Sequence, residues 1–275
     1  MTQLFQISIF PIKSLDRLQV ESSPLLPSGA LRGDREFAIF DEMGRVMNAK
    51  RNAAIHNIRS HYEWLNRSVT LSASGLTSET FHLDGDRAEM GMWLSEFFGC
   101  GVHLEQNVAM GFPDDPESPG PTIVSTQSLE SVASWFDGMT LEEVRSRFRT
   151  NLELDAPEAF WEDQLFGSED QLKAFTIGHV NFHGVNPCQR CIVPTRDSIS
   201  GDVTAAFQKT FLNHRKATLP PTVDRSRFNH FYRLAVNTRS NQSGVVNIGD
   251  SVCIGDQREN KVLEKRLPNP NSGGT

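Results

Sequence analysis

Apolar and polar residues alternate from the start of the chain. Over residues 3–11, Phe5, Ile7 and Ile9 fall on one face and Leu4, Gln6 and Ser8 on the other. That two-residue period predicts a strand. Residues 36–41 (EFAIFD) form a second short apolar run before a Glu42-Met43-Gly44 turn. Residues 69–72 and 81–83 are weaker strand candidates, separated by Ser, Gly and Thr. The period then changes. Met90, Trp93, Leu94 and Phe97 recur at helical spacing and predict a helix over 87–98. Asp86 with Glu89 has the pattern of a capping box, and Gly99 is a good stop.

Four of the fourteen prolines fall in residues 111–121, GFPDDPESPGP. Proline has no amide donor, so this stretch is a linker or surface loop. We place the boundary between two parts here. Beyond it, residues 122–124 read as a strand end that feeds a helix from Thr126, with Leu129, Val132, Ala133 and Phe136 as its apolar stripe. Thr140 and Glu143 form a second capping-box pattern, ahead of Val144, Arg147 and Phe148. Strand character returns at 151–154 and is strong over 173–185. There Val180 and Phe182 face one way and His179, Asn181 and His183 the other. It ends at 232–236 and at 245–254, through an Ile-Gly-Asp turn. The residues after Arg266, LPNPNSGGT, read as a frayed tail. The pattern predicts an α+β, β-rich fold of many short strands and few helices. The expected parts are 1–115, 116–265 and the tail 266–275.

Composition narrows the class. The chain has 275 residues, a net charge of −7 and a pI of about 5.6. An acidic average argues against nucleic acid and anionic membrane as partners. The N-terminal residues lack a signal-peptide pattern, and no run reaches the length of a membrane span, so the cytoplasm is the expected compartment. The average hides an asymmetry. Residues 207–240 hold seven Lys or Arg (Lys209, Arg215, Lys216, Arg225, Arg227, Arg233 and Arg239) against one acid, Asp224. Such a segment is a solvated face, or it meets an anionic ligand or an acidic partner.

Four cysteines, at 100, 188, 191 and 253, are too few for a disulfide scaffold. Asn186-Pro187-Cys188-Gln189-Arg190-Cys191 is the strongest local signal. Three chemistries compete. His179, His183, Cys188 and Cys191 total the ligands of a structural zinc, but the two histidines would lie roughly 13 Å apart along one strand. A thiol–disulfide motif wants a helix start, and Ile192-Val193-Pro194-Thr195 is not one. The third is a single thiolate on a soft, redox-active metal, with Arg190 favouring the charged form of a nearby thiol.

Several segments, in order, resemble the MOSC-domain family. Phe10-Pro11-Ile12-Lys13-Ser14 is similar to its YPxKS segment. Asp34-Arg35 precedes a hydrophobic strand. Val124-Ser125 and Ser128-Leu129 turn into a helix, and Phe148-Arg149 is followed by Asn151. NPCQRCIVPTRD over 186–197 is similar to the CxRC motif, and Ile248-Gly249-Asp250 fits a late turn. The resemblance covers nearly the whole chain and is nearest to the arrangement of the mitochondrial amidoxime-reducing component and its bacterial relatives. It implies an N-terminal β-barrel-like part packed on a MOSC β-barrel. It also implies a molybdenum cofactor, Mo-molybdopterin, with Cys191 as the metal ligand and catalytic residue and Cys188 as a structural bystander.

Under that resemblance Lys13 and Arg35 meet the cofactor phosphate, by point-charge and bidentate contact respectively. Ser14, Ser125 and Ser128 donate hydroxyl hydrogen bonds, and the helix start near Thr126 offers backbone amides to an anion. Arg149, Asn151 and Arg190 complete the cofactor set. Gln189 stands where a small residue is common, so the rim of the metal site differs. The implied activity is reduction of N-hydroxylated compounds such as amidoximes, hydroxylamines and N-hydroxylated base analogues, a detoxification. Asp197 and His183 are candidate general acids by position. After Cys191 only Cys253 remains, too few for a plant-type iron–sulfur cluster. Electrons are therefore expected from a separate ferredoxin-like, flavoprotein or cytochrome-type donor, which the basic 207–240 segment is placed to dock. The competing expectation is a sulfur carrier or cofactor-handling protein with a persulfide or transfer site at Cys191.

Overall fold

The computed structural model describes residues 1–169 and 171–255. The expected tail and the last residues of the expected second part lie outside them. In chain order the strands are β1 (Gln3–Ile9), β2 (Leu18–Val20), β3 (Ser22–Leu25), β4 (Phe37–Asp41), β5 (Arg59–Glu63), β6 (Ser68–Ser72), β7 (Glu79–His82), β8 (Val102–Gln106), β9 (Ile123–Ser125), β10 (Leu152–Asp155), β11 (Lys173–Ile177), β12 (Val180–Gln189), β13 (Arg233–Arg239), β14 (Gly244–Asn247) and β15 (Val252–Ile254). The helices are α1 (Arg87–Phe98), α2 (Thr126–Ser134), α3 (Leu141–Phe148) and α4 (Phe207–Ala217). The fold is α+β and β-rich.

Eight strands form one mixed sheet in the order β15-β11-β12-β13-β9-β10-β1-β2. Within it β9 and β10 run parallel and the other pairs antiparallel. Smaller sheets pair β3 with β14, β4 with β8, and β5, β6 and β7 in a meander. The sheets stay open, so neither expected barrel closes among the described residues. Strands from the two halves of the chain pair with each other: β1 lies on β10, and β3 on β14.

Local corrections have local causes. The alternation in β1 breaks at Phe5, because a bulge between Leu4 and Gln6 shifts the register against β10. Leu4 and Ile7 are then both buried and Phe5 faces solvent, as an inserted residue reverses the faces that follow it. Residues 173–185 are a hairpin rather than one strand. Gly178 turns it with φ 56°, and a Cβ there would come within 2.7 Å of Asp250 Oδ2. Helix α1 has the expected bounds and its left-handed Gly99 stop. Asp86 does not cap it; Oδ2 instead accepts from His82 N at 2.8 Å. Thr140 does cap α3, accepting from Glu143 N at 3.1 Å.

Helix α4 is absent from the sequence reading. Its buried positions are Phe207, Phe211 and Arg215, four residues apart. A charged residue in the third place hid the apolar period. Arg215 is 1% exposed and pairs with buried Asp163 at 2.5 Å. Its guanidinium lies over the rings of Phe160 (4.2 Å) and Phe228 (5.0 Å). The basic 207–240 segment is therefore not one solvated face.

Removing one partner of a buried pair leaves the other uncompensated, at about 3–5 kcal/mol. Arg215→Ala is expected to lose that much in urea unfolding. Lys209→Ala, an exposed neighbour on α4, should stay within about 0.5 kcal/mol of wild type.

Candidate functional site

The chain leaves the large sheet at the end of β1 and crosses to β4. Phe37 N donates to Pro11 O (2.9 Å), Lys13 N to Phe37 O (2.8 Å) and Arg35 N to Phe10 O (2.8 Å). Pro11 has no donor to offer, and the crossing asks it only to accept. This seam puts Lys13, Ser14 and Arg35 on one wall of a cavity of about 580 Å³. The end of α3 adds Arg149 to the lining, and the end of β12 and the residues after it add Cys188, Arg190 and Cys191.

Three of the expected residues hold left-handed backbone: Ser14 (φ 75°), Arg35 (φ 51°) and Arg149 (φ 53°). Such conformations are unfavourable for side-chain-bearing residues and cluster where geometry serves a site. Arg149 ends α3, and its Nη2 donates to Leu15 O at 2.7 Å. Its guanidinium stacks on Phe10 at 4.1 Å, and Arg35 lies over the same ring at 5.3 Å.

Charge is unbalanced here. Burial, and then the charge of Arg35, push the Arg149 guanidinium down to about 10. Burial also lowers Lys13, against the pull of Asp114. Arg35 is opposed by burial, but Asp34 and Asp114 more than offset it and hold its pKa above the ordinary value. Two further cavity-lining arginines, Arg190 and Arg233, each keep a buried Nε without a partner. Buried donors of this kind call for an acceptor. The donor set fits a phosphate-bearing anion, and the cavity also presents a cysteine sulfur, so it fits the cofactor implied by the resemblance.

The cysteine motif sits on an irregular strand. β12 shifts register twice against β13, between Gly184 and Asn186 and between Pro187 and Gln189. Both cysteines line the cavity. Cys188 packs against the cluster that contains Phe148, and Cys191 against the one that contains Leu15 and Val193. The thiol that Arg190 reaches is Cys188, at 3.1 Å from Nη1; Nη2 donates to Phe148 O. Only a three-residue 3₁₀ turn, Val193–Thr195, follows Cys191. Among the described residues no three His, Cys, Asp or Glu side chains gather as a metal site, so the four-ligand zinc arrangement does not form.

Two family models divide the chain. The MOSC N-terminal beta barrel domain matches residues 1–101 and the MOSC domain residues 122–253. The chain belongs to the MOSC family. It is similar to the molybdenum cofactor sulfurase of Drosophila melanogaster, 27% identical over 218 residues, and to that of Danio rerio, 26% identical over 238 residues. These matches cover 69% and 70% of this chain and 27% of each relative, so the chain spans about a quarter of their length.

Not every MOSC motif residue reaches the cavity. Ser125 and Ser128 are fully buried and do not line it. Ser125 caps α2 by accepting from Ser128 N, and both hydroxyls donate to Glu162 Oε2, at 2.8 and 2.9 Å. The start of α2 therefore does not offer its amides to a cavity anion. Asn151 lines the cavity, but its side chain ties the scaffold together. Nδ2 donates to Ser8 O (3.1 Å), and Oδ1 accepts from Thr122 N (3.1 Å). Neither candidate acid lines the cavity. Asp197 holds the amides of Ile199 and Ser200, and His183 is buried in β12.

The sequence reading gave no site role to Lys50, Arg147, Asn186 or Asn237, which also line the cavity. Only Asn186 carried a signal, as the first residue of the cysteine motif. Arg233, from the basic segment, also lines the wall.

Burial, and then the charge of Asp163, push Glu162 up from 4.5 to about 7. The folded state then binds an extra proton between those values, so this group's contribution falls as pH rises through that window. Glu162→Gln is expected to flatten that component. Urea unfolding at pH 5 and pH 8 should show wild type losing stability relative to the variant at the higher pH.

Proposed function

We propose that this chain is a molybdenum-cofactor oxidoreductase that reduces N-hydroxylated compounds. One observation carries the reading: a cluster of under-neutralised cations and the Cys191 sulfur share one cavity. Lys13, Arg35 and Arg149 would hold the phosphate end, with Arg190 and Arg233 offering their unpartnered Nε atoms. Cys191 would give its thiolate to the metal. When bound, such a cofactor supplies two-electron chemistry that removes oxygen from nitrogen. An amidoxime, two electrons and two protons give an amidine and water. The electrons come from a separate donor protein. The walls of the cavity orient the substrate and limit water, which strengthens each charge contact inside.

A second reading has its own support. The relatives carry the name sulfurase, and a cysteine at a cofactor cavity could hold a persulfide for transfer. Cys191 would then be a sulfur acceptor and the chain a cofactor-handling protein.

Protein from a molybdate-fed, cofactor-competent host is expected to carry about one molybdenum per chain by elemental analysis. When reduced by a dye, it should convert benzamidoxime to benzamidine. Cys191→Ala should lose both metal and activity, whereas Cys188→Ala keeps the metal. Zinc without molybdenum would sink the proposal. Bound molybdenum without amidoxime conversion, together with labelled sulfane sulfur on Cys191, would favour the carrier.

A further inference from the structure

The proline-rich loop at 111–121 closes one side of the cavity, with Pro113, Asp114, Asp115, Ser118, Pro119 and Gly120 in its lining. Both ends are pinned. At the first, Phe112 N donates to Arg35 O (2.8 Å). There a Cβ on Gly111 would come within 2.5 Å of Asp34 O. At the second, Thr238 Oγ1 donates to Pro121 O (2.6 Å) and Arg239 Nε to Ser118 Oγ (3.2 Å). Between these anchors lie three carboxylates, Asp114, Asp115 and Glu117, of which Asp114 pairs with the cavity lysines. Asp114 reaches Lys13 Nζ at 2.7 Å and Lys50 Nζ at 3.1 Å. Lys13 is the more enclosed partner, 12% exposed against 56% for Asp114. Glu117, in the same loop, makes no ion pair among the described residues.

A carboxylate bridging two ammonium groups takes the position that a phosphate's oxygens would take on the same wall. The two anions cannot share it, because like charges at contact distance repel. We propose that Asp114 is a built-in counter-ion, which holds Lys13 and Lys50 in the ligand-free protein and is displaced when a phosphate-bearing ligand binds. The inference rests on the cavity being an anion site, as proposed above. Burial works against the charge of Asp114, yet Lys13, Lys50 and Arg35 hold its carboxyl well below the usual range. The neutral form is therefore not an easy escape, and the loop must move the charge away. Pinned ends and a free middle let it do so without unfolding either anchor.

The roles of counter-ion and ligand competitor give opposite signs in one variant. Asp114→Asn should lower the thermal midpoint of the free protein, because Lys13, Lys50 and Arg35 then face one another without it. The same variant should bind inorganic phosphate about tenfold tighter by calorimetry, a factor that corresponds to about 1.4 kcal/mol. Asp114→Ala should repeat both shifts without an amide to hydrogen-bond. Glu117→Gln, with the same change in charge, should show neither. In wild type, phosphate should speed hydrogen exchange at the amides of Asp114 and Asp115. Unchanged or weaker phosphate binding by both Asp114 variants, with binding still lost in Lys13→Ala, would overturn the counter-ion and leave the anion site standing. If Lys13→Ala and Arg149→Ala bind phosphate as wild type does, or no variant binds it, the anion site fails and the inference fails with it.

Discussion

Two guanidinium groups share one phenyl ring, and the site is organised around holding them there. Arg149 lies 4.1 Å and Arg35 5.3 Å from the centre of Phe10, itself 1% exposed. Each contact with the ring face is favourable, but together they bring like charges into a half-buried place. The surroundings answer that repulsion. Asp34 pairs with Arg35 and also accepts from Phe10 N at 2.9 Å, so the ring and the charge are fixed together. Arg149 stands at the C-terminal end of α3, where the helix dipole favours a cation. Arg190 reaches the same end through Phe148 O. The site therefore uses the negative end of a helix to gather positive charge. That charge is presented to the cavity by side chains, and the start of α2 does not line it.

Much of the scaffold was legible because its signals are local. Helix α1 follows from Met90, Trp93 and Leu94 at helical spacing, and α3 from the Thr140 cap. What failed depends on tertiary partners. The face of Phe5 depends on a bulge opposite β10. Asp86 is the local exception, its carboxylate taken by the amide of His82 four residues upstream. Arg215 looks like surface charge until Asp163 arrives from fifty-two residues upstream. Of the site, ordered motifs brought Lys13, Ser14, Arg35, Arg149, Arg190 and Cys191 to one cavity. Ser125 and Ser128 share those motifs and serve packing instead, since each hydroxyl is used by Glu162. A motif marks a segment, and burial then decides which of its side chains reaches the cavity.

The cysteine pair shows the same division at closer range. Spacing alone makes Cys188 and Cys191 equivalent. The irregular β12 separates them by setting Cys188 against the aromatic cluster of α3 and Cys191 against the N-terminal core. Arg190 belongs to Cys188 through a hydrogen bond to sulfur. Its charge is therefore closest to the cysteine that the resemblance treats as a bystander. The two thiols therefore have different neighbours in one cavity: a guanidinium reaches Cys188, and Cys191 packs against the N-terminal core.

Family membership explains the cavity better than it explains the reaction. The seam at Phe10–Ser14 and the cysteine motif fall inside the two matched segments, 1–101 and 122–253. The loop at 111–121 falls between them, and it brings an acid to the cations that those segments assemble. The cations come from the matched segments, and the carboxylate comes from outside them. Under the counter-ion proposal, the charge of Asp114 would set how much binding energy goes into displacing the loop, and discrimination between ligands would lie in a segment that the two domain matches leave uncovered. A change there can retune the site without altering the strands that build it.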